Sequence, residues 1–155
     1  MSTQPPIVPA PRMNLQQLEP KAYQAMYALE KYLGGSQLSG THKELIKIRA
    51  SQLNGCAYCI AMHTREARKA GETDLRMHAL AAWHEAPYFT EEERAILALT
   101  DEMTRISDHQ VSDRVYNEAA RLFDEHYLAQ VIMAILTINA WNRIAITTRM
   151  TPDPE

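Results

Sequence analysis

The sequence predicts an all-α protein. Three observations carry that expectation. No stretch alternates apolar and polar residues with period two over a useful length. Apolar residues recur at helical spacing instead, as in Tyr23, Met26, Tyr27, Leu29 and Leu33. Helix punctuation by Ser, Thr and Asp caps, Gly stops and one clear capping box then divides the chain into about six to seven helices.

Residues 1–12 hold four prolines and no periodic apolar pattern, so they are expected to form an irregular arm. Residues 13–150 read as one helical domain, and 151–155 as a C-terminal tail. Pro20 suits the first turn of a helix that Gly34-Gly35 ends. Thr41, with Glu44 three residues later, is the expected capping box of a second helix reaching Leu53. Asn54-Gly55 stops that helix. A third helix is expected from about Cys56 to Ala70, with Gly71 as its stop. Thr73 or Asp74 caps a fourth, through His84, which Pro87 ends. Thr90-Glu91-Glu92-Glu93 opens a fifth as a capping box. Ser112 caps a sixth, and Asp124 a last long helix to about Thr147. Its most apolar run, 128–138, falls short of the roughly 20 residues a membrane span needs.

Apolar residues make up 46% of the 155 and charged residues 23%, in the usual range for a globular protein. A net charge of −3, with Lys and Arg scattered, gives no reason to expect nucleic acid or a membrane as partner. The first residues carry no apolar core of signal-peptide type, so the expected compartment is the cytoplasm. There a C-x-x-C pair points to catalysis or metal binding rather than to a structural bridge.

The chemistry gathers in residues 44–63, ELIKIRASQLNGCAYCIAMH, which hold both cysteines of the chain. On a helix, Cys56 and Cys59 are offset by about 60°, and Cys59 and His63 by about 40°, so all three share a face. If Asn54-Gly55 folds the preceding helix back as an antiparallel hairpin, Glu44 and His63 come within about 3 Å in height. A thiol is nucleophilic only as thiolate, and two cues here favour that form. The helix start favours a thiolate at Cys56 as an exposed exchange thiol. His63, four residues beyond Cys59, can accept that thiol's proton, with Glu44 orienting the imidazole. The cues point to different sulfurs. If Cys59 is oxidised to a sulfenic acid, Cys56 is close enough to condense with it. Zinc held by Cys56, Cys59, His63 and Glu44 is the rival use of these residues, but no second ligand pair accompanies them. The expected site therefore holds no metal and no cofactor.

The pattern Glu44, Cys56-Ala57-Tyr58-Cys59 and His63, flanked by LIKIRASQLNGCAYCIAMHTREARKAG and the late INAWNRIAI, resembles the AhpD-like alkylhydroperoxidases. These belong to the carboxymuconolactone decarboxylase superfamily, and the resemblance covers about residues 13–148. It implies an all-helical fold, a homo-oligomer (trimer or hexamer) and a thiol peroxidase acting on hydroperoxides. By that likeness Cys59 is the peroxidatic thiol, Cys56 the resolving thiol, and His63 with Glu44 the proton relay. An external dithiol or lipoyl-type carrier would recycle the enzyme. Tyr58 stands where some family members carry a second histidine, and a phenol is a poor base at neutral pH. A redox-responsive scaffold on the same fold, without useful turnover, is the second reading.

Outside this stretch, His42, His78, His84, His109 and His126 share no ligand spacing and read as surface or satisfied polar residues. Trp83 and Trp141 read as core or interface anchors. Asn139 and Asn142 lie on an apolar helix and need hydrogen-bond partners if buried.

Overall fold

The computed structural model describes residues 4, 5 and 7–153, so 1–3, 6 and the end of the tail at 154–155 lie outside it. The described residues form nine α-helices and no strand. They are α1 (Leu15–Leu18), α2 (Pro20–Gly34), α3 (Gly40–Asn54), α4 (Ala57–Lys69), α5 (Asp74–Ala79), α6 (Glu91–Thr104), α7 (Ile106–His109), α8 (Asp113–Leu122) and α9 (Glu125–Thr148). The count exceeds the expected six to seven because α1 and α7 are single turns of four residues each.

Most helix starts fall where sequence chemistry puts them. Pro20 is the first residue of α2. Thr90 and Glu93 close the expected capping box, and Thr73, Ser112 and Asp124 each accept a backbone N–H at the start of α5, α8 and α9. Two expectations are corrected. Ser39, not Thr41, caps α3, its hydroxyl accepting the His42 N–H at 3.1 Å. Glu44 is thereby released from any capping role. The α5 helix ends at Ala79, not His84, and passes into the 3-10 turn Leu80–Ala82. Arg94 holds the segment that follows, its guanidinium donating to the carbonyls of Trp83 and His84.

Helix α3 is central and touches α4, α6 and α9. One apolar cluster joins its Ile46 and Ala50 to Ile96 and Leu99 of α6 and Val131, Ile135 and Ile138 of α9. A second, on another side of α3, joins Leu45 and Ile48 to Ala67, Met77, Leu80 and Trp83. Helix α9, at 24 residues, is long and apolar enough by length and composition alone to cross a membrane. Here its buried Val131, Ile135 and Asn142 pack into this protein instead.

Charged side chains, several of them buried, also tie the helices together. Arg49 of α3 makes a bidentate pair with Asp101 of α6, at 2.7 and 3.0 Å, and the Trp83 indole donates to the same carboxylate. Burial alone would raise the Glu93 pKa, but hydrogen bonds from Arg76 and the Thr90 N–H outweigh it and hold the carboxyl below its ordinary value. Burial pushes the His42 imidazole below its ordinary value, only partly opposed by Glu93 and Glu92, and its Nδ1 lies 2.7 Å from the Tyr127 hydroxyl.

Asp101→Ala leaves Arg49 half of a buried pair and should lower the unfolding free energy by about 3 kcal/mol in urea denaturation. Midpoints that coincide with wild type would show the pair to be dispensable. Because the folded state holds His42 below the unfolded imidazole value of about 6.5, the unfolded chain binds more protons as pH falls through that value. Stability should be intact above it and decline from pH 7 towards 5. The decline should be shallower in His42→Gln, as read by thermal midpoints across that range.

Candidate active site

The site begins at the end of α3. Gly55 takes a left-handed conformation, with φ of 70°, that a side chain would strain. The Gly55 N–H meets the Gln52 carbonyl and the Cys56 N–H meets the Ser51 carbonyl at 2.9 Å, the pairing of a Schellman motif. The chain leaves this turn extended at Cys56, which serves as the N-cap of α4. A sulfur stands where a cap usually offers oxygen, and Cys56 Sγ accepts the Cys59 N–H at 3.3 Å.

Asparagines fix where this turn sits. Asn54 Nδ2 donates to Asn139 Oδ1 at 3.0 Å and Asn142 Oδ1 at 2.9 Å, both on α9. Asn142 Nδ2 in turn donates to Ser51 Oγ, and Asn139 Nδ2 to Thr104 Oγ1 on α6. The partners these residues require are thus at the foot of the dithiol loop.

Cys56 and Cys59 are joined by a disulfide, with Cα atoms 5.3 Å apart. Both are buried, at 1% and 2% exposure, in a small cluster with Ala145, Tyr58 and Met150. Cys56 is therefore not the exposed thiol that its place at a helix start suggests. Side chains from the end of α9 and the residues after it cover it. A cavity of about 230 Å³ between Gly55, Ala145, Ile146 and Met150 leads to it.

His63 lies one turn along α4 from Cys59 and is 4% exposed. Its Nδ1 is 3.6 Å from Glu44 Oε2 on α3 and 3.3 Å from Glu66 Oε2, one turn further on its own helix. Glu44 and His63 thus meet across the α3–α4 hairpin. Neither His63 Nδ1 nor Glu44 Oε2 has a hydrogen-bond partner among the described residues. Lys47 stands 3.9 Å from the other oxygen of Glu44 and 3.7 Å from Glu30, which accepts the Trp141 indole N–H at 3.0 Å. Glu30, Lys47, Glu44, His63 and Glu66 thus form a continuous run of neighbouring ionisable side chains.

Beside this run opens a second cavity, of about 320 Å³, walled by Tyr23, Tyr27, Trp141, Tyr58 and Met62 and reaching His63. Tyr23, Tyr27 and Trp141 pack on one another with ring centroids 5.2–5.7 Å apart. Burial, and then the neighbouring Tyr27 and Tyr58, push the Tyr23 pKa up, so its phenol stays protonated.

The structure joins Cys56 to Cys59 with Tyr58 packed on them, and brings Glu44 to His63 across the hairpin, with Tyr58 and His63 on one cavity. The zinc set of two thiols, His63 and Glu44 does not assemble in this oxidised state, because the sulfurs are bonded to each other. The donors that could surround a cation are Glu44, His63 and Glu66, whose ligand atoms all lie within 4.8 Å of one another. Glu66, Lys47 and Glu30 did not stand out in sequence. Glu66 at i+3 from His63 and Lys47 at i+3 from Glu44 were the available signals.

Comparison with known proteins agrees with this architecture. Residues 20–102 match the Carboxymuconolactone decarboxylase family. The uncharacterized protein YdfG of Bacillus subtilis (strain 168) is 42% identical over 135 residues, which are 87% of this chain and 92% of YdfG. A crystal structure of a protein of unknown function from Agrobacterium tumefaciens, assigned provisionally as the antioxidant defence protein AhpD, superposes with a TM-score of 0.92 at 36% identity. That match covers 94% of this chain and all of the other. The debrominase Bmp8, with 2,3,4-tribromopyrrole bound to its C82A variant, shares the fold at a TM-score of 0.80 and 19% identity, over 89% of this chain and 74% of its own. The chain belongs to the carboxymuconolactone decarboxylase family and is an AhpD-like member of it.

Proposed function

We propose that the chain is a thiol-dependent peroxidase of alkylhydroperoxidase type. The observation that carries this reading is the Cys56–Cys59 disulfide, one helical turn from a buried imidazole that faces two carboxylates. After reduction of the bridge, His63 takes the proton of the Cys59 thiol, and Glu44 offsets the charge the ring gains. The thiolate attacks the terminal oxygen of a hydroperoxide. The O–O bond breaks, the alkoxide takes the proton from His63, and Cys59 is left as a sulfenic acid. The Cys56 thiol condenses with it, forming the S–S bond and releasing water. An external dithiol then restores both thiols by exchange and leaves as its own disulfide.

Surroundings support the scheme. The aromatic-walled cavity beside His63 offers an apolar berth to the organic part of the peroxide. Tyr58 lines it and, with Tyr23 and Tyr27, offers a phenol as hydrogen-bond donor to the peroxide oxygens. On this reading the partners are a dithiol protein or lipoyl carrier of the cytoplasm. Half-exposed Leu136 and Ile146 on α9 offer apolar surface for assembly into a trimer or hexamer. Burial of both sulfurs favours a second reading, a redox-responsive scaffold whose bridge alters assembly without turnover. A thiol count with and without peroxide, read beside oligomer size, separates the two.

Peroxide consumption under a dithiol reductant should vanish in Cys59→Ser. Cys56→Ser should accumulate a sulfenic acid that dimedone traps, with cycling stalled. Wild-type rates in Cys59→Ser would end the proposal. His63→Gln should slow the chemical step by about 10²–10⁴-fold and Glu44→Gln by less, with the disulfide still able to form in both. An unchanged rate in His63→Gln would remove the imidazole from the scheme.

A further inference from the structure

We infer that Glu44, His63 and Glu66 form a binding site for a divalent transition-metal ion of the zinc class. The inference stands on donor geometry and needs no peroxidase activity; it concerns a metal-loaded form in which His63 and Glu44 serve as ligands and not as the proton relay. Two carboxylate oxygens converge on one ring nitrogen, at 3.6 and 3.3 Å. A neutral imidazole has a single N–H or a single lone pair at that position, and it meets neither oxygen in hydrogen-bond geometry. Buried polar atoms without partners are rare, and this cluster contributes two, His63 Nδ1 and Glu44 Oε2. A cation placed between the three donors satisfies both at once.

The spacing fits zinc. Tetrahedral ligands about 2.0–2.2 Å from the ion stand about 3.3–3.6 Å from one another. The two nitrogen–oxygen separations here fall in that interval, and all three donor atoms lie within 4.8 Å. The half-exposed Glu66 can close the remaining gap and gives the ion a way in from solvent. His63 and Glu66 both border the 320 Å³ cavity, where a water would complete the shell. One nitrogen and two oxygens suit zinc, cobalt or manganese better than the sulfur-rich sites of softer metals.

Charge permits the ion. Lys47 faces Glu44 Oε1, leaving Oε2 turned to His63. Glu30 pairs with Lys47 on its other side. Glu44 and Glu66 thus bring two carboxylates to the ring nitrogen with one lysine, Lys47, paired to the far oxygen of Glu44, a charge balance a dication can complete.

The test uses the full chain in its disulfide form, stripped of metal with a chelator, so that no thiol can serve as ligand. Titration with zinc chloride, followed by calorimetry, should give one ion per chain with micromolar affinity. Cobalt substitution should give the intense visible bands of a tetrahedral site. Glu66→Gln, at a half-exposed position that folding tolerates, should weaken binding at least about tenfold. The Cys56→Ser/Cys59→Ser double variant should bind as wild type does. Absence of saturable binding, equal affinity in Glu66→Gln, or loss of binding in the cysteine double variant would each overturn the site. The readout contains no peroxide, so failure of the peroxidase scheme would leave this result standing, and the reverse.

Discussion

The side-chain amide of Asn54 spends both its hydrogens on α9, and the placement of the dithiol depends on those two bonds. Asn54 is the last residue of α3, and Cys56 is two positions further on. With Gly55 in a left-handed turn, the path between them has almost no freedom. Fixing Asn54 on α9 therefore fixes where α4 starts, which sulfur caps it, and which way His63 faces. The bonds are strong in context because Asn142 is buried and its own amide is satisfied by Ser51. Loss of any member leaves polar atoms without partners deep in the protein, which costs more than the bond itself contributes.

A tension between cover and access follows. Both sulfurs lie under Tyr58, Ala145 and Met150, which shields a reactive bridge from chance thiols. Two cavities meet this cover from different sides, one bordered by Cys56 and the other by His63. Tyr58 and Met150 line both. An unbranched methionine between two openings can change rotamer without disturbing the helices, so it suits a boundary that must yield.

Much of this was legible in the chain. The helical class, the stop at Asn54-Gly55 and the caps at Thr90, Ser112 and Asp124 follow from local chemistry that needs only neighbouring residues. The meeting of Glu44 with His63 was half legible. Rise per residue gave their height, while the face each helix presents depends on how α3 rolls against α6 and α9, which no local pattern encodes. The start of α3 was misread because Ser39 and Thr41 are both good caps two residues apart; the hydroxyl that reached an N–H three residues on, at His42, decided between them. Nothing in the sequence sets Glu66 apart from the other charged residues of α4. Its role in the cluster appears only once Glu44 arrives from another helix. Long-range pairs such as Arg49 with Asp101 leave no mark in sequence, since fifty-two positions separate them.

The two tryptophans stand in unlike surroundings. Trp83 is buried in the second cluster, stacked on His84 and bonded to Asp101. Trp141 forms a wall of the cavity that reaches His63, bonded to Glu30. Tryptophan fluorescence of this protein thus comes from one emitter buried in the second cluster and one on the wall of the cavity that reaches His63. The second serves as a built-in optical gauge of whatever enters that chamber, with no label attached.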